Sequence, residues 1–400
     1  AHGRGVPDCD LCGRVAAGRL RGYKRGMAVR RSTATAVPPL SRPAARRALR
    51  AALARWAAAA ARDLPWRATR DPYRLWLSEV LLQQTKVVTV LPYYERFLAA
   101  FPTVSDLAAA PLERVLKLWE GLGYYSRGRH LHAAARVIVG ERGGRFPRTA
   151  ADWQTLPGVG RYTAAAIASI VHGEPAAVLD GNVKRVLARL FLITDPTDAS
   201  ATQERLWTLA DELLDRAAPG VLNQAMMELG ARVCTPRRPR CDECPVARWC
   251  AARAAGRTDD VPVRGPRRAA TEVQLAVAIV RRGDALLLLR RPSRGQLGGL
   301  WELPTVAVPN GAPPDAALVA GLQESLRLSV RIVAAHGPIA HAFTHRRLTL
   351  HAFTCAPTGR RPAATADRRW VSPDALADYG LGRMYHKVLR LVFASAPSDR

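Results

Sequence analysis

No apolar run of about 18 residues or more occurs in the chain, so no helix long enough to cross a bilayer is expected. Acidic residues are scarce: 33 Asp and Glu face 60 Lys and Arg across 400 residues, a formal charge of +27. Such an imbalance calls for a polyanionic partner, either nucleic acid or an anionic membrane surface, and charge alone does not choose between them. The first residues are basic, but no apolar stretch follows them, which argues against a secretory signal. Cysteine is sparse and odd in number, seven in all, four of them between positions 234 and 250. That suggests a metal site in a reducing compartment rather than a disulfide framework. What is plentiful is apolar residue, 48% of a 400-residue chain, enough for sizeable cores in two or three domains.

Composition divides the chain into four stretches. Residues 1–44 are rich in Arg, Gly, Ala and Pro and read as a disordered basic tail. Met27 is an alternative start within it, and Cys9 and Cys12 form an isolated C-x-x-C pair. From 45 to 253 the pattern is helical, without strand-like alternation. "AARRALRAALARWAAAAARDL" favours helix by propensity. "DPYRLWLSEVLLQQTKVVTVL" opens with Asp71 as N-cap and Pro72 at the first helical position. "APLERVLKLWEGLG", "GNVKRVLARLFLI" and "ATQERLWTLADELLDRA" continue the series. Residues 254–272 are polar and basic and read as a linker. From 273 to 395 the texture is α+β: two apolar runs flank Arg282-Gly283-Asp284, a hairpin signal, "RLTLHAFTC" alternates, and "PDAALVAGLQESLRL" is helical.

Four features carry chemistry. Cys234, Cys241, Cys244 and Cys250 follow the spacing C-x6-C-x2-C-x5-C. Structural zinc usually takes two C-x-x-C knuckles, and only one is present, so the spacing favours an iron–sulfur cluster. Arg237, Arg238, Arg240 and Arg248 would make that loop basic. In "LPGVGRYTAAAIASI", the N–H groups of Gly158 and Gly160 would lie at a helix N-terminus, where backbone donors and helix dipole together bind phosphate. An ordinary helix–helix corner is the bland alternative. Glu79, in "WLSEVLLQQT", shares a helical stripe with Leu75, Trp76 and Leu82, an apolar setting that raises a carboxyl pKa. Asp180, in "AVLDGNVKRV", sits where an N-cap belongs, a setting that favours the anion. Two carboxyls pushed apart in this way can divide the work of acid and anion.

With these motifs in hand, the chain resembles the MutY family of adenine DNA glycosylases, within the helix-hairpin-helix superfamily. The resemblance runs from Arg62 to Cys250 and more weakly to about residue 390. It is carried by "RDLPWR", "WLSEVLLQQT", "LWEGLGYYSR", "LPGVGRYTA", "LDGNVKRVLARL" and "NQAMMELGARVCTPRRPRCDECP". The resemblance implies a mostly α helix-hairpin-helix domain with an iron–sulfur loop, followed by a Nudix-like α+β domain. It implies that Glu79 protonates adenine and later activates water, that Asp180 stabilises the cationic sugar, and that Tyr162 and Asn182 support that intermediate. Arg62, Leu64, Trp66, Arg67 and Gln224 would line the adenine pocket. Gln84 and Tyr124 would wedge into the base stack with Thr85 beside them, and Phe343, Thr344 and His345 would read 8-oxoguanine. Cys234, Cys241, Cys244 and Cys250 would hold a [4Fe–4S] cluster. The implied partner is double-stranded DNA with adenine mispaired to 8-oxoguanine or guanine, bound by a monomer in the cytoplasm, on the nucleoid if the source is bacterial, with no membrane involved.

Three rival functions fit parts of the sequence. A bifunctional glycosylase and lyase resembling endonuclease III needs an amine nucleophile. In the resemblance a lysine of the hairpin supplies it, and Tyr162 stands at that position. A Nudix hydrolase needs a glutamate-rich helix to bind Mg²⁺, and "AGLQESLRL" keeps only Glu324. A purely DNA-binding protein has no use for the Glu79 and Asp180 pair.

Overall fold

The computed structural model describes residues 40–60, 62–265, 269–293, 295–343, 345–359 and 363–394. The expectations placed on residues 1–39, including Met27, Cys9 and Cys12, and on Thr344 lie outside the described residues. The helical part comprises α1 (Pro43–Ala60), α2 (Pro72–Leu82), α3 (Val87–Ala100), α4 (Val104–Ala109), α5 (Leu112–Leu118), α6 (Ser126–Arg142), α7 (Ala150–Gln154), α8 (Arg161–His172), α9 (Gly181–Leu190), α10 (Ser200–Leu213), α11 (Pro219–Arg232) and α12 (Ala251–Ala254). Local chemistry sets many of these limits. Asp71 caps α2, its Oδ1 accepting the N–H of Tyr73 at 2.8 Å and of Arg74 at 3.4 Å. Thr103 and Asp106 close a capping box on α4.

The helices pack as two lobes that share α8. Ala164, Ile167 and Ala168 on one side of it join a core with Trp76, Phe97 and Trp153 from α2, α3 and α7. Ala165 and Ala166 on the other side join Leu53, Val186, Leu187 and Leu229 from α1, α9 and α11. A helix pressed from both sides at interior packing density has room only for small side chains, which accounts for its run of alanines. The helical run from Asp71 onward differs from its expected continuity. It breaks at Gln83–Lys86, with Gln84 in the left-handed region at φ 57°.

The second part comprises β1 (Thr271–Arg282), β2 (Ala285–Arg290), β3 (Trp301–Glu302), β4 (Thr305–Ala307), α13 (Pro314–Leu326), β5 (Val330–Phe343), β6 (Arg346–Pro357), β7 (Arg368–Val371) and α14 (Arg383–Ala394). The sheet order is β3-β2-β1-β6-β5, with β4 against β1 and β7 against β2. β1 and β6 run parallel. The hairpin expected around Gly283 forms, Arg282 pairing with Ala285. Alternate residues of β1 serve two cores. Val277 and Ile279 pack with Val388 of α14, and Ala276, Ala278 and Val280 pack with Leu318 and Leu322 of α13. Each sheet face is thus covered by one helix, and both faces of β1 read as apolar.

Residues 258–263, inside the expected linker, are held against the helical part. Arg189 Nε donates to the carbonyls of Thr258 and Val261, both at 2.9 Å, and the Thr197 N–H donates to Val263 O at 3.1 Å. Main-chain acceptors make these bonds, so the polar side chains of the stretch do not announce them. The two parts also interlock. Leu300 belongs to the first helical core. Glu120 Oε1 accepts from the Leu381 N–H at 3.0 Å and from His386 Nε2 at 2.6 Å, while Lys117 Nζ donates to Glu120 Oε2 at 2.6 Å. The Trp301 indole N–H donates to the Glu113 carboxylate.

Candidate active site

A cavity of about 1210 Å³ opens between the two lobes. α2 brings Glu79 to it from one lobe, and the start of α9 brings Asp180 and Asn182 from the other. The turn before α8 adds Gly158 and Gly160, and the first turn of α8 adds Tyr162. Arg62, Leu64, Trp66, Arg67, Gln84, Thr85 and Gln224 also line it. Glu79 is buried, and burial pushes its carboxyl up to about 7, opposed by a hydrogen bond from Tyr162 and reinforced by the nearby Asp180 charge. The Tyr162 hydroxyl donates to Glu79 Oε2 at 2.8 Å and lies 3.3 Å from Met227 Sδ. Its partner in the structure is therefore Glu79, whereas the resemblance implied that it supports the sugar.

Asp180 caps α9 as expected. Its Oδ1 accepts the Val183 N–H at 2.7 Å and its Oδ2 accepts from Asn182 Nδ2 at 2.8 Å. Burial nevertheless raises its carboxyl too, with the bonds from Val183 and Asn182 and the Arg185 charge opposing the rise. The expected divergence is thus not one group up and the other down. Both are lifted by burial, and Asp180 differs in the donors aimed at it. Behind Asn182 a chain of bonds leads to the cysteine loop: Arg185 Nη2 donates to Asn182 Oδ1 at 2.8 Å, and Arg185 Nε donates to Cys234 O at 2.7 Å.

Gly158 has φ 75°, and a Cβ there would stand 2.4 Å from His130 Cβ. Glycine is required at that position for both reasons. Gly160, the N-cap of α8, has φ −88° and open space where a Cβ would go.

Tyr124, Phe343 and His345 do not reach this cavity. They line a second one, of about 660 Å³, with Gly121, Arg129, Arg346 and Arg383, where the helical part meets the sheet. The resemblance groups Tyr124 with Gln84, but the two side chains border different cavities. Tyr124 is half-exposed and, like Gln84, left-handed, at φ 48°.

The four cysteines of the 234–250 loop are free. Cys234, Cys244 and Cys250 pack at the edge of the second helical core, and Arg189 Nη1 donates to Cys234 Sγ at 3.3 Å. Burial pushes the Cys244 thiol up to about 12, and the charges of Cys234, Cys250 and Cys241 add to the rise.

Three family matches follow this division of the chain. Residues 77–212 match the HhH-GPD superfamily of base excision DNA repair proteins. Residues 234–250 match the iron–sulfur binding domain of endonuclease III, and residues 276–391 match the NUDIX domain. Over its length the chain is similar to the adenine DNA glycosylase of Rattus norvegicus, 40% identical across 86% of this chain and 78% of that one. It is 39% identical to that of Homo sapiens, across 88% and 75%. The chain belongs to the adenine DNA glycosylase family. Among solved structures, a thermostable thymine-DNA glycosylase aligns at a TM-score of 0.49 and 30% identity, covering 53% of this chain and 98% of that one.

An adenine DNA glycosylase carries a [4Fe–4S] cluster in such a loop, and the donor set fits one. Among the described residues no group of three or more His, Cys, Asp or Glu side chains is arranged to hold a metal ion. The loop offers one C-x-x-C knuckle, Cys241 and Cys244, where a structural zinc usually takes two. Burial raises the Cys241, Cys244 and Cys250 thiols, and a bound cationic centre would hold them as thiolates. Four cysteine sulfurs with an arginine alongside suit a multinuclear centre.

Sequence reasoning missed Glu228 of α11. It is buried and lines the main cavity. Arg62 donates to it through Nε at 2.8 Å and Nη2 at 2.7 Å, and Arg67 through Nη2 at 2.6 Å. Burial pushes its carboxyl up, but the bonds and charges of Arg62 and Arg67 outweigh burial and hold it below the usual range. Two arginines in the short motif "RDLPWR" were the available signal, since paired guanidinium groups facing a buried cavity need a carboxylate. α13 carries only Asp315 and Glu324 as carboxylates, and Glu324 is exposed.

Proposed function

We propose that the chain hydrolyses the bond joining adenine to deoxyribose where adenine is mispaired with 8-oxoguanine or guanine in double-stranded DNA, and that it leaves the strand intact. The observation that carries this reading is Glu79, buried, with its pKa at about 7, in the cavity that also holds Asp180. Such a carboxyl is part-protonated near neutral pH, so it can give a proton to a base and, as carboxylate, take one from water. Adenine is a poor leaving group until a ring nitrogen is protonated. Glu79 supplies that proton, with the Tyr162 hydroxyl fixing its orientation. As the bond breaks the sugar becomes cationic, and Asp180, held by Val183 and Asn182, stabilises it as an anion.

The remaining residues bind and orient. Adenine must leave the duplex to reach Glu79, and Arg62, Leu64, Trp66, Arg67, Gln224 and Glu228 form its pocket. Gln84, Thr85 and Tyr124 fill the stack it leaves, and Phe343, Thr344 and His345 read the opposite base. The N–H groups of Gly158 and Gly160 hold a backbone phosphate. The cluster, held by Cys234, Cys241, Cys244 and Cys250, cross-links the loop that carries the arginines. The chain acts as a monomer in the DNA-containing cytoplasm, and sedimentation with and without duplex checks the stoichiometry.

One observation favours strand cleavage. Lys86 borders the cavity, the only lysine among the described lining residues. It is exposed at the rim, away from the desolvated floor where an amine becomes a nucleophile. Duplexes with adenine opposite 8-oxoguanine or opposite thymine, analysed with and without alkali, separate the readings. The expected result is adenine loss from the 8-oxoguanine duplex and strand breaks only after alkali. Equal release from both duplexes sinks the mispair reading. Breaks without alkali that vanish in Lys86→Ala establish the lyase instead.

A further inference from the structure

Gln84 and Tyr124 are both non-glycine residues held at positive φ, at 57° and 48°. Such backbone persists only where the surroundings enforce it. One side chain reaches the backbone in front of both. Arg127, buried in the first turn of α6, donates through Nη1 to the carbonyls of Val80 at 2.9 Å, Leu81 at 3.1 Å and Gln83. Its Nη2 donates to the Gly123 carbonyl at 3.3 Å and to Thr85 Oγ1 at 3.4 Å. Its Cζ stands 5.2 Å from the Trp119 ring and 5.6 Å from the Tyr124 ring. The carbonyl before Gln84, the hydroxyl after it and the carbonyl before Tyr124 therefore share one planar fork. These acceptors are carbonyls and a hydroxyl rather than a carboxylate. A cation buried on neutral acceptors is costly, so its geometry, more than its charge, is what the site requires. Lysine, a point charge on a flexible stem, cannot reproduce a fixed fork of five donors.

We propose that Arg127 is a positioning residue that ties the Gln84 turn to the Tyr124 loop, so that both side chains enter the duplex as one unit. Adenine extrusion at the first cavity is then coupled to the side of the protein that meets the opposite base. This inference rests on the reading above that both side chains enter the base stack.

The test uses the full chain with its cluster, under single-turnover conditions on adenine opposite 8-oxoguanine. Gln84→Ala, Tyr124→Ala and the double variant are compared in the wild-type and Arg127→Lys backgrounds. In the wild type, the double variant is expected to lose at least about fivefold less than the product of the single losses. In Arg127→Lys the losses are expected to multiply. Arg127→Lys alone should slow excision on the order of 10- to 100-fold on the mispaired duplex. It should act at near wild-type rate on adenine opposite an abasic gap, which is already unstacked. Equal slowing on both substrates would mean a merely structural role and would overturn the proposal. Multiplying losses in the wild-type background would overturn it too, and that result needs no Arg127 variant to fold. If the wild type releases no adenine from any duplex, the functional reading itself has failed, which no pattern among the variants could mimic.

Discussion

The contact between Glu79 and Tyr162 sets the response to pH. On the proposed function protonated Glu79 is the acid, and its protonated fraction falls as pH rises through about 7, so excision should decline on the alkaline side. The Tyr162 hydrogen bond lowers that pKa against the effect of burial. Tyr162→Phe should therefore move the alkaline limb to higher pH while slowing the maximal rate. kcat/KM measured over roughly pH 5 to 9 reads this out, and a limb that stays put or moves down would contradict the assignment. Glu79→Gln should still bind the mispaired duplex but lose excision by on the order of 10² to 10⁴-fold. Near-normal turnover in that variant would remove Glu79 from the acid role. Both carboxyls were legible in the sequence because an apolar stripe and an N-cap are local patterns. Glu228 was not, because its partners Arg62 and Arg67 lie 166 and 161 residues away along the chain.

At the scale of the turn before α8, two glycines that look alike in sequence have different duties. Gly158→Ala meets both a left-handed backbone and the His130 side chain. It should destabilise the protein by about 1–3 kcal/mol and weaken DNA binding with it. Gly160→Ala meets neither obstacle and should leave the unfolding midpoint in urea almost unchanged. Equal midpoints for the two variants would mean that the turn relaxes at little cost. The break between α2 and α3 was hidden for a related reason. "LLQQTKVV" continues a helical pattern, and what stops it is a guanidinium more than 40 positions downstream that takes the carbonyls of Leu81 and Gln83. The apolar runs of β1 and β2 and the hairpin at Gly283 were legible, because the runs and the turn residues between them are written within the strands themselves.

Across the whole molecule, Glu120 is one of the ionisable groups that join the helical part to the sheet part. Burial raises its carboxyl, but the bonds from His386, Lys117 and the Leu381 N–H prevail and hold it below its ordinary value of 4.5. A depressed carboxyl contributes stability that is full above the unfolded value and disappears as pH falls through the folded one. The two parts should therefore separate in acid below about pH 4.5. Glu120→Ala should show the same expansion near neutrality in small-angle scattering, and a radius of gyration that ignores both changes would place the junction elsewhere. Removing residues 271–400 should reduce the preference for 8-oxoguanine more than it reduces adenine release. It should also lower thermal stability, because Leu300 leaves the first helical core. A truncated protein with full preference for 8-oxoguanine over guanine would put recognition in the helical part. The sharing of α8 between the lobes has a thermal consequence. Glu79 and Asp180 belong to opposite lobes, so the proposed catalytic pair exists only while the lobes stay docked on their common helix. Gentle heating should silence the enzyme before its helices melt, and a duplex carrying the abasic product, by bridging both lobes, should bring the two temperatures together.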